Sequence, residues 1–303
     1  MTTMAMTQPA TTTATRVGVG RAFGTFGELI QGVLPPDGRN FLVTLPIARW
    51  SVATFRTEPD RPLRVLPAGK GKSRRLVQAM CDAYGVPSGG TLALSSQLPV
   101  GKGLASSSAD LVATARAVGD AFGFEPSPAA IEDLLREIEP TDGVMYDSVV
   151  AFEHREVRLR AVLGSLPRIT VIGVDEGGTV DTIEFNAIPK PFTLDDMYEY
   201  ESILARVERA MRTGDAETLG AMATRSAQLN QALRPKRSLD GLVKLSRDCG
   251  ALGVAVAHSG TTLGVLLADA DPDYAVKRDR ILAACQRLGQ PTSIDHTLSF
   301  GTN

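Results

Sequence analysis

Residues 99–109 read PVGKGLASSSA, a stretch of small residues between two apolar segments. The preceding segment (91–98) has the composition of a β-strand, and the following one (107–123) has apolar residues at helical spacing. A strand, a glycine-containing loop and a helix start form an anion-binding site, because the first backbone N–H groups of a helix lack partners and its dipole is positive there. Gly101 and Gly103 allow a ligand to approach the backbone closely. The loop therefore favours phosphate binding.

Two other functions of this loop are excluded by spacing, and a third stays open. A Walker A loop has the pattern GxxxxGK[ST], whereas Lys102 is followed by Gly103. A hydrolase nucleophile elbow has the pattern GxSxG, which none of the three serines matches. The simpler alternative is that Ser106 or Ser107 only caps the following helix.

Composition limits the class of protein. The 303 residues predict about two domains, and 43% apolar with 22% charged residues is ordinary globular composition. A net charge of −2 gives no reason to expect nucleic acid or an anionic membrane as partner. The three cysteines form no CxxC pair, which argues against a disulfide framework or zinc site and favours the cytoplasm. Residues 1–14 are expected to be a disordered tail, and no segment predicts a signal peptide or a membrane span.

Hydrophobic patterning divides the chain into two α+β halves, 15–166 and 167–303, joined near the sequence GSLP. The first half begins with strand-rich sequence broken by the turn signal PPDG at 35–38. The second half has the order strand, helices, strand, strand, helix, strand. That order predicts a split βαβ plan of the ferredoxin type with extra helices.

The loop also resembles the PxxxGLGSSAA signature of the GHMP kinases, the superfamily of galactokinase, homoserine kinase and mevalonate kinase. Ala105 stands where the signature has glycine and Ser108 where it has alanine, and both stay small. Two further segments resemble family motifs, namely GTFGELIQG (24–32) and AHSGTTLG (257–264). In the second, Ser259 and Gly260 match, whereas the two threonines after them depart from the usual pattern. The residues of the loop that match are Pro99, Gly103, Leu104, Ser106, Ser107 and Ala109.

The resemblance implies a two-domain α+β fold, with a ribosomal-protein-S5-domain-2-like N-terminal half that binds ATP and a ferredoxin-like C-terminal half. It implies ATP and Mg²⁺ as the cofactors, with Ser107 in contact with both the metal and the phosphates. Lys102 would neutralise phosphate charge. The expected nucleotide-binding residues are Pro99, Gly101, Lys102, Gly103, Leu104, Ala105, Ser106, Ser107 and Ser108.

The segment EIEPTDGVMYDSVVAF (137–152) carries the candidate catalytic carboxylate. Pro140 ends a helix, and a Thr-Asp-Gly turn follows, so Glu139 and Asp142 can face one cleft. By resemblance, Asp142 is the general base or the group that orients the acceptor, and Glu139 helps to hold Mg²⁺. Glu137 is the competing metal ligand. The alternative for Asp142 is that it only caps the turn.

The acceptor is indicated only by resemblance. GTFGELIQG and EPTDGVMY resemble the L-threonine kinases of cobalamin biosynthesis, which use ATP to phosphorylate free L-threonine. The alternatives are a kinase of another amino acid or hydroxy acid, and a non-catalytic ligand-binding regulator. A monomer or homodimer is expected. The run of Lys70, Lys72 and Arg74 is expected to be a solvated face, although the resemblance places the family's adenine-side loop in this neighbourhood. His258 is expected to be structural. The alternative for Glu28 is a buried, hydrogen-bonded carboxylate that only fixes the turn. The candidate acceptor-binding residues are Thr25, Glu28, Ser259, Gly260 and Thr261.

Overall fold

The computed structural model describes residues 15–179 and 188–301. The tail expected at 1–14 lies outside these residues. None of the helices in the described part of the chain combines the length and the apolar character needed to cross a bilayer.

Two long antiparallel strands dominate the N-terminal half, and the expected turn at 35–38 joins them. The helix expected after the phosphate loop starts at Ser106. The next helix is capped by Ser127, whose hydroxyl accepts the Ala130 N–H at 3.2 Å. A three-residue strand parallel to its neighbour was not predicted, because it is too short to show a period. The elements are β1 (Val17–Leu34), β2 (Arg39–Thr57), β3 (Arg64–Leu66), α1 (Gly71–Tyr84), β4 (Gly90–Ser96), α2 (Ser106–Phe122), α3 (Pro128–Arg136), β5 (Val149–Glu153) and β6 (Arg158–Gly164).

The C-terminal half has the predicted order of elements. Its four strands lie in the spatial order β10-β7-β9-β8, and each pairs antiparallel with its neighbour, which is the arrangement of a ferredoxin-like sheet. The elements are β7 (Ile169–Asp175), α4 (Leu194–Thr213), α5 (Ala216–Leu229), a 3₁₀ turn (Asn230–Ala232), α6 (Leu239–Asp248), β8 (Gly253–Val256), β9 (Thr262–Ala268), α7 (Tyr274–Gln286) and β10 (Thr292–His296).

The strands of the two halves are connected in one sheet. Its order continues from β8 through β1, β2 and β4 to β3, while β5 and β6 branch from β2. The junction is the pairing of Glu28 in β1 with Val256 in β8. The division at 166 falls in the connection between β6 and β7, and it stays a prediction. The junction matters because it brings the Gly-Glu motif of β1 beside the 257–264 motif.

Helix α2 lies directly against β1. A Cβ atom added at Gly20 would come within 2.2 Å of the Ala113 carbonyl oxygen, so only glycine permits this spacing. The facing side of the helix is made of small buried residues such as Ala113 and Ala117. Close packing of helix and strand fixes the N-terminus of α2 beside the junction of the two halves.

Candidate active site

A cavity of about 200 Å³ opens at the N-terminus of α2, between the phosphate loop, the 139–142 turn and β1. Four candidate residues, Glu28, Ser107, Glu139 and Asp142, come from three different segments of the chain and all line this cavity. The cavity is lined by Glu28, Lys72, Val100, Gly101, Gly103, Leu104, Ala105, Ser106, Ser107, Ser108, Glu139, Pro140, Thr141, Asp142, His154, His258 and Ser259.

The start of α2 has no side-chain cap. Ala105 occupies the cap position in the left-handed conformation (φ 55°), and the first helical hydrogen bond runs from Ala109 N to Ala105 O at 2.9 Å. Ser106, Ser107 and Ser108, whose backbone N–H groups precede that bond, all line the cavity. Ser106 and Ser107 are therefore not side-chain caps of α2, and the start of this helix offers backbone N–H groups of the kind to which anions bind.

Glu139 and Ser107 form the first polar pair of the cavity. The Ser107 hydroxyl donates a hydrogen bond to one oxygen of Glu139, and the Lys72 ammonium pairs with the other oxygen. Glu139 is buried, whereas the competing candidate Glu137 is exposed. Of the two glutamates, Glu139 alone lines the cavity.

Asp142 and Ser108 form the second pair. The Ser108 hydroxyl lies 3.3 Å from Asp142 Oδ2 and accepts a hydrogen bond from the Asp142 backbone N–H at 3.1 Å. The preceding residue is held as well, since Thr141 N donates to the His154 carbonyl at 3.1 Å. Burial raises the pKa of Asp142 to about 6, the Ser108 hydrogen bond opposes that shift, and the charge of Glu139 adds to it. Asp142 thus combines a fixed orientation with a pKa near neutrality, as a general base requires.

Glu28 contributes a third carboxylate to the lining of the same cavity. The register of β1 against β2 shifts on both sides of Glu28, and such bulges re-aim side chains next to active sites. Its carboxylate accepts a hydrogen bond from the His258 backbone N–H, and the His258 ring is fixed by Gln31, with Nδ1 2.6 Å from Oε1. Burial, and then the charge of Asp142, raise the pKa of Glu28 well above its ordinary value. His258 therefore positions Glu28.

The loop containing Lys102 joins the two halves beside the cavity. The Lys102 carbonyl accepts hydrogen bonds from Thr261 N at 3.2 Å and from Thr262 Oγ1 at 2.9 Å. Its ammonium points the other way, to Asp175 Oδ2 at 2.6 Å and the Gly178 carbonyl at 2.6 Å. In this structure the Lys102 backbone links the phosphate loop to the 257–264 loop, and the Lys102 ammonium is paired with the Asp175 carboxylate.

Sequence-predicted residues separate into two groups. Five of them lie outside the cavity lining. One of these, Thr25, is buried, and its backbone nitrogen lies 3.3 Å from the Leu104 carbonyl oxygen of the phosphate loop. Those that line the cavity are Glu28, Gly101, Gly103, Leu104, Ala105, Ser106, Ser107, Ser108, Glu139, Asp142 and Ser259. Those outside its lining are Thr25, Pro99, Lys102, Gly260 and Thr261.

The basic run at 70–74 is only partly solvated: Arg74 is exposed and Lys70 and Lys72 are partly exposed, but each of the three side chains has a partner. Lys70 Nζ lies 2.5 Å from Asp110 Oδ2, Lys72 pairs with Glu139, and Arg74 donates to the Leu63 carbonyl. Lys72 lines the cavity although it was not among the residues predicted from the sequence. The one signal was the resemblance itself, which places the family's adenine-side loop in this part of the chain.

The donor set at Ser107 and Glu139 fits Mg²⁺. Mg²⁺ in kinases is held by one or two protein oxygens together with substrate phosphates and water. The described residues contain no cluster of three or more His, Cys, Asp or Glu side chains able to hold a metal. A hydroxyl and a carboxylate in mutual contact at a helix start supply the smaller oxygen set that such a site needs.

Family comparisons agree with this geometry. The model of the GHMP kinases N terminal domain matches residues 72–152, and that of the GHMP kinases C terminal matches residues 207–287. An L-threonine kinase of Citrobacter freundii is 28% identical over 253 residues, which are 83% of this chain and 86% of the relative. An L-threonine kinase of Salmonella typhimurium is 28% identical over 266 residues, which are 83% of each chain.

A solved structure of similar fold spans nearly the whole chain. The homoserine kinase of Cytophaga hutchinsonii has a TM-score of 0.70 at 16% identity and covers 99% of this chain and 97% of its own. The two domain matches, in the expected order along a chain of this fold, establish the family. The chain belongs to the GHMP kinases, and its two-domain α+β architecture is theirs.

Proposed function

We propose that this kinase transfers the γ-phosphate of ATP to the side-chain hydroxyl of L-threonine, giving O-phospho-L-threonine and ADP. The observation that carries the proposal is the meeting of the α2 N-terminus, Glu139 and Asp142 in one cavity. The choice of acceptor is supported by the two L-threonine kinases at 28% identity.

The nucleotide phosphates would bind at the start of α2. Three backbone N–H groups, from Ser106 to Ser108, and the positive end of the helix dipole are suited to phosphate oxygens. Mg²⁺ would be held by Ser107 and Glu139, and when bound it would neutralise phosphate charge. Phosphoryl transfer requires mainly such positioning and charge neutralisation from the protein.

Asp142 would act on the acceptor hydroxyl. As the hydroxyl oxygen bonds to the γ-phosphorus, the bond from phosphorus to the β–γ bridging oxygen breaks, and the hydroxyl proton passes to the Asp142 carboxylate. A pKa of about 6 keeps most of this carboxylate ionised at pH 7 and above. Ser108 would hold it in one orientation throughout.

Glu28 would bind the ammonium group of the amino-acid acceptor. Its carboxylate is buried, lines the same cavity as Asp142 and is held by the backbone N–H of His258. A buried carboxylate is stabilised when a cation binds beside it, which makes an ammonium-bearing ligand favourable at this position. Ser259, in the loop that covers this side, would contact the same acceptor.

The test is a panel of acceptors assayed for ADP release with ATP and Mg²⁺. The panel contains L-threonine, L-serine, L-homoserine, mevalonate and 2,3-dihydroxybutanoate, which replaces the ammonium of threonine by a hydroxyl. We expect L-threonine to have the highest kcat/KM and 2,3-dihydroxybutanoate to be at least about tenfold worse, because a missing charged hydrogen bond costs 1.4 kcal/mol or more. Faster turnover of L-homoserine would favour the second candidate, a kinase of another amino acid, which the fold of homoserine kinase makes the nearest alternative.

A non-catalytic regulator would bind ligand without releasing ADP from any acceptor in the panel. The fixed pair of Ser108 and Asp142 argues against that alternative. A place in cobalamin biosynthesis stays a prediction that depends on the same acceptor.

A further inference from the structure

Lys72 occupies the position beside Glu139 that a cation would fill. Its ammonium pairs with Glu139 Oε2, while the Ser107 hydroxyl takes Oε1 of the same carboxylate. Lys72 also lines a second cavity of about 190 Å³, which runs from the phosphate-loop side between residues 69–73 and the start of α2. One lysine therefore faces both the proposed metal ligands and the adjoining space at the helix start.

We propose that Lys72 holds Glu139 as an internal cation while the site is empty, and moves to a nucleotide phosphate when Mg²⁺ binds Glu139. The inference rests on the proposed nucleotide site. It assigns Lys72 two successive anionic partners, a carboxylate and then a phosphate.

The buried charge of Glu139 requires a partner. The Glu139 side chain is only 3% exposed, and a buried carboxylate requires a compensating positive charge or hydrogen bonds. Lys72 supplies that charge in the structure. A divalent cation on the same carboxylate would replace it, and the lysine would then be a surplus positive charge next to bound phosphates.

The Lys72 side chain has room to move to a second partner. The Lys72 side chain is 38% exposed, compared with 26% for Lys70, whose partner Asp110 is buried. A lysine ammonium is a point charge on a flexible stem and can turn to a new acceptor without a fixed geometry. Lys72 lies in the first turn of α1, directly after Gly71, which has no side chain to restrict it.

The exchange predicts that loss of Lys72 changes metal affinity and nucleotide affinity in opposite directions, which loss of a purely structural lysine would not do. Removing Lys72 removes the competitor for Glu139, so a divalent cation alone should bind more tightly. The same change removes a cation from the phosphates, so metal–nucleotide should bind more weakly. Loss of a structural ion pair would weaken both, because it would disorder Glu139.

The experiment measures Mn²⁺ binding by electron paramagnetic resonance, with and without ADP, on the full chain. For Lys72→Met we expect the dissociation constant of Mn²⁺ alone to fall about fivefold, and that of ADP with saturating Mn²⁺ to rise about tenfold. Lys72→Arg keeps the cation and should recover most of the ADP affinity. Lys244→Met, which breaks an exposed pair with Asp248 on α6, is the matched control for loss of one positive charge and should change neither value.

The possible results separate failure of the Lys72 exchange from failure of the proposed nucleotide site. Tighter Mn²⁺ and weaker ADP binding in Lys72→Met support the exchange. Weaker binding of both, or no change in either, overturns it while the nucleotide site stands. If the unsubstituted chain itself fails to bind ADP with Mn²⁺, the proposed nucleotide site is wrong and the exchange falls with it. Thermal unfolding of each variant separates lost binding from lost folding. If Lys72→Met does not fold, Lys72→Arg is the test variant, and it should bind Mn²⁺ alone as tightly as the unsubstituted chain does. Loss of both Mn²⁺ and ADP binding in Lys72→Arg would overturn the exchange.

Discussion

Ser108 and Asp142 are joined by two contacts. The serine hydroxyl lies 3.3 Å from the carboxylate oxygen Oδ2 and accepts the Asp142 backbone N–H at 3.1 Å. One side chain of α2 therefore sets both the backbone and the carboxylate of the proposed base. The family signature has alanine at this position, and an alanine side chain could make neither contact.

Replacing Ser108 by alanine should slow the reaction and shift its pH dependence. The hydrogen bond lowers the pKa of Asp142, so its loss should raise that pKa and move the acidic limb of the kcat/KM profile to higher pH. Loss of one orienting hydrogen bond of about 1 kcal/mol should lower kcat about fivefold. The measurement is a pH–rate profile of both proteins. An unchanged acidic limb would contradict the contact's role.

Asp142→Asn should abolish turnover and leave nucleotide binding intact. Removing a general base costs about 10²- to 10⁴-fold in kcat, while the residues proposed to hold the nucleotide are untouched. Isothermal titration with ADP and Mg²⁺ should give a dissociation constant within about twofold of the unsubstituted value. Activity above a few per cent of the original would rule out proton removal by Asp142.

The same variant should be more stable above neutral pH. The pKa of Asp142 in the folded chain, about 6, is higher than the 3.8 of an ordinary aspartate. The folded chain therefore binds this proton more tightly, and its stability falls as pH rises through about 6. Asparagine does not ionise, so at pH 8 we expect the free energy of unfolding to rise by about 1–2 kcal/mol. Urea denaturation at pH 5 and pH 8 checks this, and the gain should be smaller at pH 5.

Glu139→Gln should raise the Mg²⁺ concentration needed for half-maximal activity by about tenfold or more, since it removes the charged metal ligand. Glu137→Gln is the matched control, because that glutamate is exposed two residues away and does not line the cavity. Titration of Mg²⁺ at fixed ATP measures both. Equal Mg²⁺ dependence of the two variants would show that Glu139 is not the ligand.

Gly103→Ala should disturb the contact between the phosphate loop and the 257–264 loop. Gly103 has φ +82°, and an added Cβ would lie 2.3 Å from the Ala257 Cβ and 2.9 Å from the Gly260 Cα. Gly123→Ala is the control, since φ is +79° there and the added Cβ meets nothing within 4 Å. Backbone strain alone should cost about 1–2 kcal/mol of unfolding free energy in both. Only Gly103→Ala should lose more than that and also weaken ADP binding, as denaturation and titration would show.

Sequence predicted the fold well because its signals are local. Apolar spacing located the helices, and the order of elements in the C-terminal half was enough to indicate the ferredoxin-like plan. The phosphate loop and the Glu139–Asp142 turn were found from spacing together with a family resemblance. Each of these predictions concerns residues close together in the chain.

The partners of those residues depend on packing and were not predictable. Ser107 meets Glu139 across 32 positions, and Ser108 meets Asp142 across 34, because α2 lies beside the turn that follows α3. Lys102 seemed a phosphate ligand from its place after Gly101, yet its ammonium reaches Asp175 at the end of β7. A side chain as long as lysine can point to either side of a loop, and the sequence does not specify which.

The central claim is that this cavity transfers phosphate to the hydroxyl of L-threonine. The most direct measurement is ³¹P NMR of the purified protein with ATP, Mg²⁺ and L-threonine. We predict a phosphomonoester resonance that matches authentic O-phospho-L-threonine and grows in step with ADP, and no such resonance with Asp142→Asn. Formation of ADP with inorganic phosphate alone, or no consumption of ATP while another acceptor is phosphorylated readily, would contradict the claim.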